Sequence, residues 1–513
     1  MTGILPTLRV ADMGEQAMTD NPRYRALEEA FRKLRGVDAY RFRIKGVDEL
    51  ILQHQSFILE ACNTSFQVHL QVGAAEFPSL YNLAQLVSAP VLAAAVNSPL
   101  LFGKRLWQET RLALFQQSVD TRKEELPQRE FRPRVSFGTD WVRNSVLDIF
   151  REDIARFRAL LGTEAWEDPF EAIEAGRAPS LDALRLHNGT VYRWNRACYG
   201  ISDGRAHLRI ENRILPAGPT PADEVANAAL WFGLLHGLAA RIGDPADSFS
   251  FDQAKANLLA AAQQGLDSQI VWIDGERHPA RELLLEQLLP IAEEGLVGAG
   301  FDAGDASHYL GLLRARVASG RTGARWLLDS LAGMDKKSSD GQRMAALVAA
   351  TLNRQGGDRP GHEWDPAQLE EVSATWKDHY EAVGDYMFRD LFTVHQDELV
   401  DLAANVMDWQ HLRHVPVEDD DHHLVGLVTH RTLLRFFARH DGAQRAVPVG
   451  QIMEKQAITV HPETPALQAI ALMRDRKFSC LPVVDADKRL VGMLSEHDFI
   501  QIAAQLLEQK LRG

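Results

Sequence analysis

The sequence predicts an α+β chain in two unlike parts. A large first domain has helices covering a mainly antiparallel sheet, and a smaller α/β domain is built from one unit used twice. Three observations predict this. Helical periodicity dominates residues 1 to about 350, where only 65–72 and 205–215 alternate as strands do. A polar, glycine-rich segment, Asn353-Arg-Gln-Gly-Gly-Asp-Arg-Pro-Gly361, breaks the pattern. Beyond it, three separated motifs recur at one constant offset. The expected boundaries are 1–350 for the first domain, 351–384 for a linker and polar connecting helix, and 385–445 and 450–513 for the repeated units.

The bulk properties narrow the function classes. A chain of 513 residues exceeds one core, and 45% hydrophobic with 25% charged residues is ordinary for a globular protein. A formal charge of −14 argues against a nucleic-acid partner, which needs a basic surface. The three cysteines, Cys62, Cys198 and Cys480, lie far apart without a CxxC pair, as expected for a reduced, cytoplasmic protein. The N-terminus lacks the basic and apolar regions of a signal peptide. The uncharged stretch from Phe77 to Gly103 is interrupted by Pro90 and by Asn97-Ser98-Pro99, so buried helices meeting at a turn are expected, and no membrane partner.

In the first domain, helical patterns fall at 22–36, 79–97, 101–122, 144–161, 221–241, 251–264, 280–293 and 306–332. Gly295-Leu-Val-Gly-Ala-Gly300 lacks the spacing of a dinucleotide fingerprint and reads as a loop. There is no GxxxxGK[ST], no GxSxG and no HExxH, so phosphate-loop, serine-hydrolase and zinc-protease chemistries have no support.

The repeat pairs Phe392-Thr-Val-His-Gln-Asp397 with Ile458-Thr-Val-His-Pro-Glu463, His414-Val-Pro-Val417 with Cys480-Leu-Pro-Val483, and Leu424-Val-Gly-Leu-Val-Thr429 with Leu490-Val-Gly-Met-Leu-Ser495. Val394/Val460, Pro416/Pro482 and Gly426/Gly492 all stand 66 residues apart. Each unit reads as a strand, an amphipathic helix (399–409 or 466–474), a hairpin and a second helix. These residues resemble the CBS domain family, whose tandem copies pack as a pseudo-symmetric pair and commonly hold adenosine ligands. The resemblance implies a nucleotide site at Ser495 and Asp498, where a hydroxyl at a helix N-terminus takes phosphate and a carboxylate takes ribose hydroxyls. The first unit offers Thr429 but has Thr432 in place of the carboxylate. The alternative for Ser495 is a helix cap alone. The resemblance also implies a homodimer through these modules. Asp419, Asp420, Asp421, His422 and His423 look like a metal cluster, but in register they fall on the first hairpin turn and read as a solvated turn.

Two strands carry the candidate chemistry. Gln67, His69 and Gln71 share one face of 67–72, and His207, Arg209, Glu211 and Arg213 share one face of 207–213. Such a face suits a cation-and-phosphate cleft, or equally a solvated face with cross-strand ion pairs. Together with Asn97-Ser-Pro99, Gly103, Arg111, Tyr192-Arg-Trp-Asn-Arg196 and Ser319-Gly-Arg-Thr-Gly-Ala324, these strands resemble the glutamate–cysteine ligases of family two, the carboxylate–amine ligases. The resemblance spans about residues 3–330. It implies a glutamine-synthetase-like sheet, ATP as substrate, Mg²⁺ or Mn²⁺, and amide formation between a glutamate-type amino acid and an amine, as in glutathione biosynthesis. It assigns Glu211, Gln67 and His69 to the metal, Arg213 to a substrate carboxylate or γ-phosphate, and Arg111 and Asn97 to the catalytic site, with Arg111 on an ATP phosphate. The alternative for Arg111 is a pair with Glu109 or Asp120. The family's opening Glu-x-Glu strand has no counterpart here, so the sheet is expected to be incomplete. The sequence therefore reads as a ligase-like domain with an adenine-nucleotide-sensing module, or alternatively as a non-catalytic nucleotide-binding regulator.

Overall fold

The computed structural model describes the chain apart from residues 1, 15–16, 20, 36–39, 55, 121–132, 163–165, 336–337, 339, 358, 375–381, 386, 389–390, 411, 440–445, 497–498 and 500–513. It divides into two compact units, Met1–Val372 and Ser373–Gly513.

The first unit is mixed helix and sheet. Helix α1 (Pro22–Arg35) precedes a hairpin of β1 (Tyr40–Lys45) and β2 (Glu49–His54), which bury Phe42 and Ile44 between exposed charges. Strand β3 (Val68–Val72) leads into α2 (Phe77–Ala95), almost every residue of which is buried, Pro90 included. The helix expected over 101–122 is shorter, because Gly103, at φ 74°, turns Leu100–Leu101 back onto Lys104–Arg105 as a small hairpin. Helix α3 (Thr110–Ser118) starts only after it. Helices α4 (Leu147–Arg156) and α5 (Asp182–Asn188) then lead to β4 (Asn195–Ser202) and β5 (Arg205–Asn212). The site-bearing sheet is antiparallel in the order β3–β5–β4.

Helices α6 (Pro221–Ile242), α7 (Phe251–Gln264), α8 (Leu289–Gly298), α9 (Ala303–Ser319), α10 (Gly323–Gly333) and α11 (Asp340–Gln355) complete the unit. Helix α6 is long and apolar enough to cross a membrane, but Leu230, Trp231, Leu234 and Leu235 are fully buried within the unit. The glycine-rich 295–300 segment is not the expected loop. Gly295 lies inside α8, and a methyl group there would overlap the Gly233 carbonyl oxygen of α6. These glycines let two helix backbones touch. The single helix expected over 306–332 is two: Gly320, at φ 71°, ends α9, and the Thr322 hydroxyl caps α10 by accepting from the Arg325 amide.

The 351–384 segment is not a free linker. Residues 353–355 close α11, and Trp364 packs edge-on against Trp326 with ring centroids 5.2 Å apart. The Gly361 amide donates to buried Asp223 at 2.9 Å. Residues 369–374 form a 3₁₀ turn where the expected polar helix begins.

The second unit repeats itself. Helix α12 (Val400–Trp409), hairpin β6 (His414–Glu418) and β7 (Leu424–Thr429), and α13 (His430–Arg439) are followed by α14 (Ala466–Arg476) and the hairpin β8 (Cys480–Val484) and β9 (Leu490–Ser495). The offset seen in sequence is reproduced in space. Leu427 pairs with Glu454, and Met493 pairs with Phe388. Segment 449–453 thus closes the first core, while Val383 and Met387 belong to the second.

Candidate functional site

Register decides which side chains meet. On β3 and β5, His69 stands opposite Glu211 and Gln71 opposite Arg209; on β4, Arg196 stands opposite Glu211 and Cys198 opposite Arg209. The other face, with Val68, Val72, Ala197 and Ile210, is buried in the main hydrophobic core that also contains α2. The polar face is the floor of a cavity of about 700 Å³, lined by Gln67, His69, Arg196, Arg209 and Glu211, with residues of α5 and Arg23 completing the wall. The alternating pattern thus brought Gln67, His69 and Glu211 to one place.

Glu211 is 1% exposed and ion-paired on both oxygens. Arg196 donates through Nη2 at 2.7 Å and Nε at 3.2 Å to Oε2, and Arg213 donates through Nη1 at 2.9 Å to Oε1. The Cys198 thiol donates to the same Oε2 at 3.3 Å. Burial raises the Glu211 carboxyl, but Arg196 and Arg213 outweigh it and hold it below the usual carboxylate range. Burial pushes the Cys198 thiol up to about 11, which keeps it a donor. His69 Nε2 is 3.9 Å from Glu211. Burial, joined by Arg209, Arg196 and Arg213, lowers the imidazole against the pull of Glu211, favouring the neutral ring. The Arg213 guanidinium also lies over the Tyr192 ring, 5.8 Å from its centroid.

This donor set does not fit the expected magnesium or manganese. Mg²⁺ takes about six oxygens at roughly 2.1 Å. Here the one floor carboxylate is covered by two guanidiniums, and a third, on Arg209, shares the face. Among the described residues no group of three or more His, Cys, Asp or Glu side chains is arranged to hold a metal. Glu211, Gln67 and His69, the residues expected at a metal, lie together in a pocket that also holds these guanidiniums.

Arg111 and Asn97 are not among the residues that line this cavity. Arg111 is 2% exposed; its Nε donates to Glu109 at 3.0 Å, and its other nitrogens bond the backbone carbonyls of Arg213 and Ile214. Glu109 in turn accepts from the Asn97 amide at 2.9 Å and the Ser98 hydroxyl at 2.6 Å. The Asn97 side chain donates to the Ala217 carbonyl at 2.7 Å. These residues form a buried clasp that fixes the chain leaving β5. Of the two ion pairs expected as alternatives for Arg111, the one with Glu109 forms.

In the second unit, Thr429 ends β7 opposite His414, and Ser495 ends β9 opposite Cys480. The Thr429 hydroxyl accepts from the Thr432 amide at 3.1 Å, capping α13. His414 Nε2 and the Ser479 hydroxyl are 2.9 Å apart, joining the two repeats beside these strand ends. Burial drives the His414 imidazole down to about 4. Asp498 lies outside the described residues. The Asp/His cluster is a turn, as expected: Asp419 Oδ1 accepts from the amides of Asp421 and His423, and Asp485 does the same for Asp487 and Arg489.

Sequence reasoning gave Arg196 and Cys198 no role. β4 was missed because Ala197 and Cys198 are both buried and no alternation shows. The pairing partner of Glu211 could have been found only from register. His414 was noted solely as part of a repeat.

Comparison with known proteins agrees with this architecture. The model of glutamate–cysteine ligase family 2 matches residues 2–350, and the CBS domain model matches 383–439 and 449–504. A homoserine O-acetyltransferase of Methanohalobium evestigatum is 32% identical over 23% of this chain and only 24% of its own length. A CBS domain-containing protein of Dictyostelium discoideum is 29% identical over 24% of this chain and 90% of its own. The solved CBS-pair protein CBSX2 of Arabidopsis thaliana is 28% identical over 25% of this chain and 97% of its own, with a TM-score of 0.23. The chain thus belongs to glutamate–cysteine ligase family 2 and carries a tandem pair of CBS domains behind its family domain.

Proposed function

We propose that this chain is a regulator that binds an adenine nucleotide in its CBS pair, and that its ligase-family domain does not turn substrate over. The observation that carries the second half is Glu211. A carboxylate ion-paired to Arg196 and Arg213 is not free to anchor the metal that an ATP-dependent ligase needs. Support for the first half comes from membership in the CBS family and from Thr429 and Ser495, two hydroxyl side chains ending equivalent strands. Asp498 completes the second of these sites by its position in the family motif. A nucleotide that prefers one arrangement of the pair would shift the protein toward it. Exposed apolar side chains on α12 and α14, including Trp409 and Leu467, support a homodimer formed through the CBS modules.

Calorimetric titration of the full chain with AMP and with ATP tests this reading. Binding in the micromolar range is expected. Ser495→Tyr, which fills the strand end, is expected to weaken it by about tenfold or more. Absence of any nucleotide binding to the wild type contradicts the reading.

The second reading is an ATP- and Mg²⁺-dependent ligase joining a glutamate-type carboxylate to an amine. Family membership over 2–350 favours it, as does the meeting of His69, Glu211 and Arg213 at one sheet face. It requires Glu211 to exchange its arginines for metal when substrates bind.

A further inference from the structure

We infer that β3 is an open sheet edge on which a second copy of this chain docks strand to strand, joining the β3–β5–β4 sheets of both copies into one antiparallel sheet. The two edges of that sheet differ. On β4 the outer carbonyls are capped by side chains: Ala197 accepts from Asn188 Nδ2 and Asn195 from the Tyr81 hydroxyl, each at 2.8 Å. On β3 the alternation of an antiparallel ladder decides which groups face out. The Thr64 carbonyl accepts from the Ala217 amide and the Phe66 amide donates to the Leu215 carbonyl, each at 3.1 Å, so both face the chain that continues β5. Val68, Leu70 and Val72 therefore point their amides and carbonyls at β5, and Gln67, His69 and Gln71 point theirs away from it. These three residues are exposed, and among the described residues no group hydrogen-bonds their backbone.

The strand's own sequence says what covers it. Edges that stay in water are guarded by lysine, other charges or proline. Val68-His69-Leu70-Gln71-Val72 has none of these, and it reads nearly the same in both directions. An antiparallel copy centred on Leu70 sets His69 against the partner's Gln71, and both are outward, hydrogen-bonding positions. On the opposite face Leu70 meets the partner's Leu70 and Val68 the partner's Val72, which covers the half-buried Leu70. No like charges meet, since burial and the arginines behind it favour the neutral His69 ring. A two-fold contact needs this self-complementarity, and a strand of another sequence would make no use of it. On the polar face the partner's Gln71 stands beside His69 on the cavity floor, so each copy contributes a residue to the other's site. This contact is separate from the one through the CBS modules and does not depend on it.

The test is disulfide trapping in the full chain. Directly opposed residues that do not exchange ladder hydrogen bonds have Cα atoms about 4.5 Å apart, within reach of a disulfide. On mild oxidation Leu70→Cys is expected to join most chains in disulfide-linked pairs, with the peptide carrying position 70 bonded to its own copy in mass spectrometry. Val47→Cys, in the exposed turn between β1 and β2, is the collision control. It is expected to couple at least about tenfold more slowly, because a docked thiol has a far higher effective concentration than one met by diffusion. Added to Leu70→Cys, Gln71→Pro removes an outward N–H and Gln71→Lys charges the edge, and each is expected to abolish the coupling. Melting curves matching the wild type exclude unfolding, and Gln71→Lys carries the test if the proline variant does not fold. The proposal is overturned if Leu70→Cys couples no faster than Val47→Cys, or if coupling survives Gln71→Lys. Sedimentation velocity separates the failures: a dimer whose Leu70→Cys form stays uncoupled leaves the CBS contact standing and sinks this one alone.

Discussion

Replacing Glu211 with glutamine tests the electrostatics of the sheet face directly. The substitution keeps shape and hydrogen-bonding capacity but removes the negative charge between Arg196 and Arg213. Breaking a buried pair by losing one partner costs about 3–5 kcal/mol. The side chains of Arg196 and Arg213 are 20% and 16% exposed, so water recovers part of that, and glutamine still accepts a bond. A loss of about 2–3 kcal/mol remains, which for a unit of this size lowers the melting temperature by roughly 3–4 °C. Scanning calorimetry of both proteins at neutral pH reads it. The pH dependence carries a second check. Glu211 is held below its usual range in the folded state, so its contribution is complete above the unfolded carboxyl pKa of about 4.3 and disappears as pH falls through the lower folded value. The two proteins are expected to converge in acid. If Glu211 were instead an unfilled metal ligand, E211Q would leave the melting temperature unchanged or raise it, and that result refutes the reasoning.

Arg111→Met strands Glu109, which is fully buried, and is expected to cost about 3–5 kcal/mol in urea unfolding, while folded protein binds AMP within about twofold of wild type. Gly295→Ala puts a methyl group against the Gly233 carbonyl and should cost at least about 3 kcal/mol, seen as loss of the first unit's cooperative transition. His414 is held down to about 4 by burial, so the unfolded chain binds the extra proton between that value and about 6.5. Its stability is whole above that range and falls as pH drops through it. Between pH 7 and pH 5 the wild type should lose about 2 kcal/mol in chemical denaturation, and His414→Gln should remove most of that slope.

How much of this was legible in the sequence depends on burial. Val68–Val72 and Arg205–Asn212 could be read because one face is buried and the other is polar, so alternation and site membership were the same signal. The repeated unit was legible because both copies bury the same positions; even the paired turn residues His422 and Lys488, both at positive φ, keep the offset. What failed was everything decided by partners. Arg111 looks like any helical arginine until Glu109 is seen beneath it. Glu211 shows no ion-pair partner in sequence until β4 supplies Arg196 across the register. Gly295 looks like a loop glycine because a contact between two helix backbones leaves no local trace.

The most direct test of the account is turnover by the intact chain. ADP release is followed at saturating Mg²⁺ and ATP with L-glutamate and a panel of amines, in a sample whose AMP binding has been verified by calorimetry. The account predicts AMP binding beside a flat baseline whatever amine is supplied. ADP release that requires both glutamate and an amine, and that vanishes in E211Q, would show that Glu211 sheds its arginines for a metal and would contradict it.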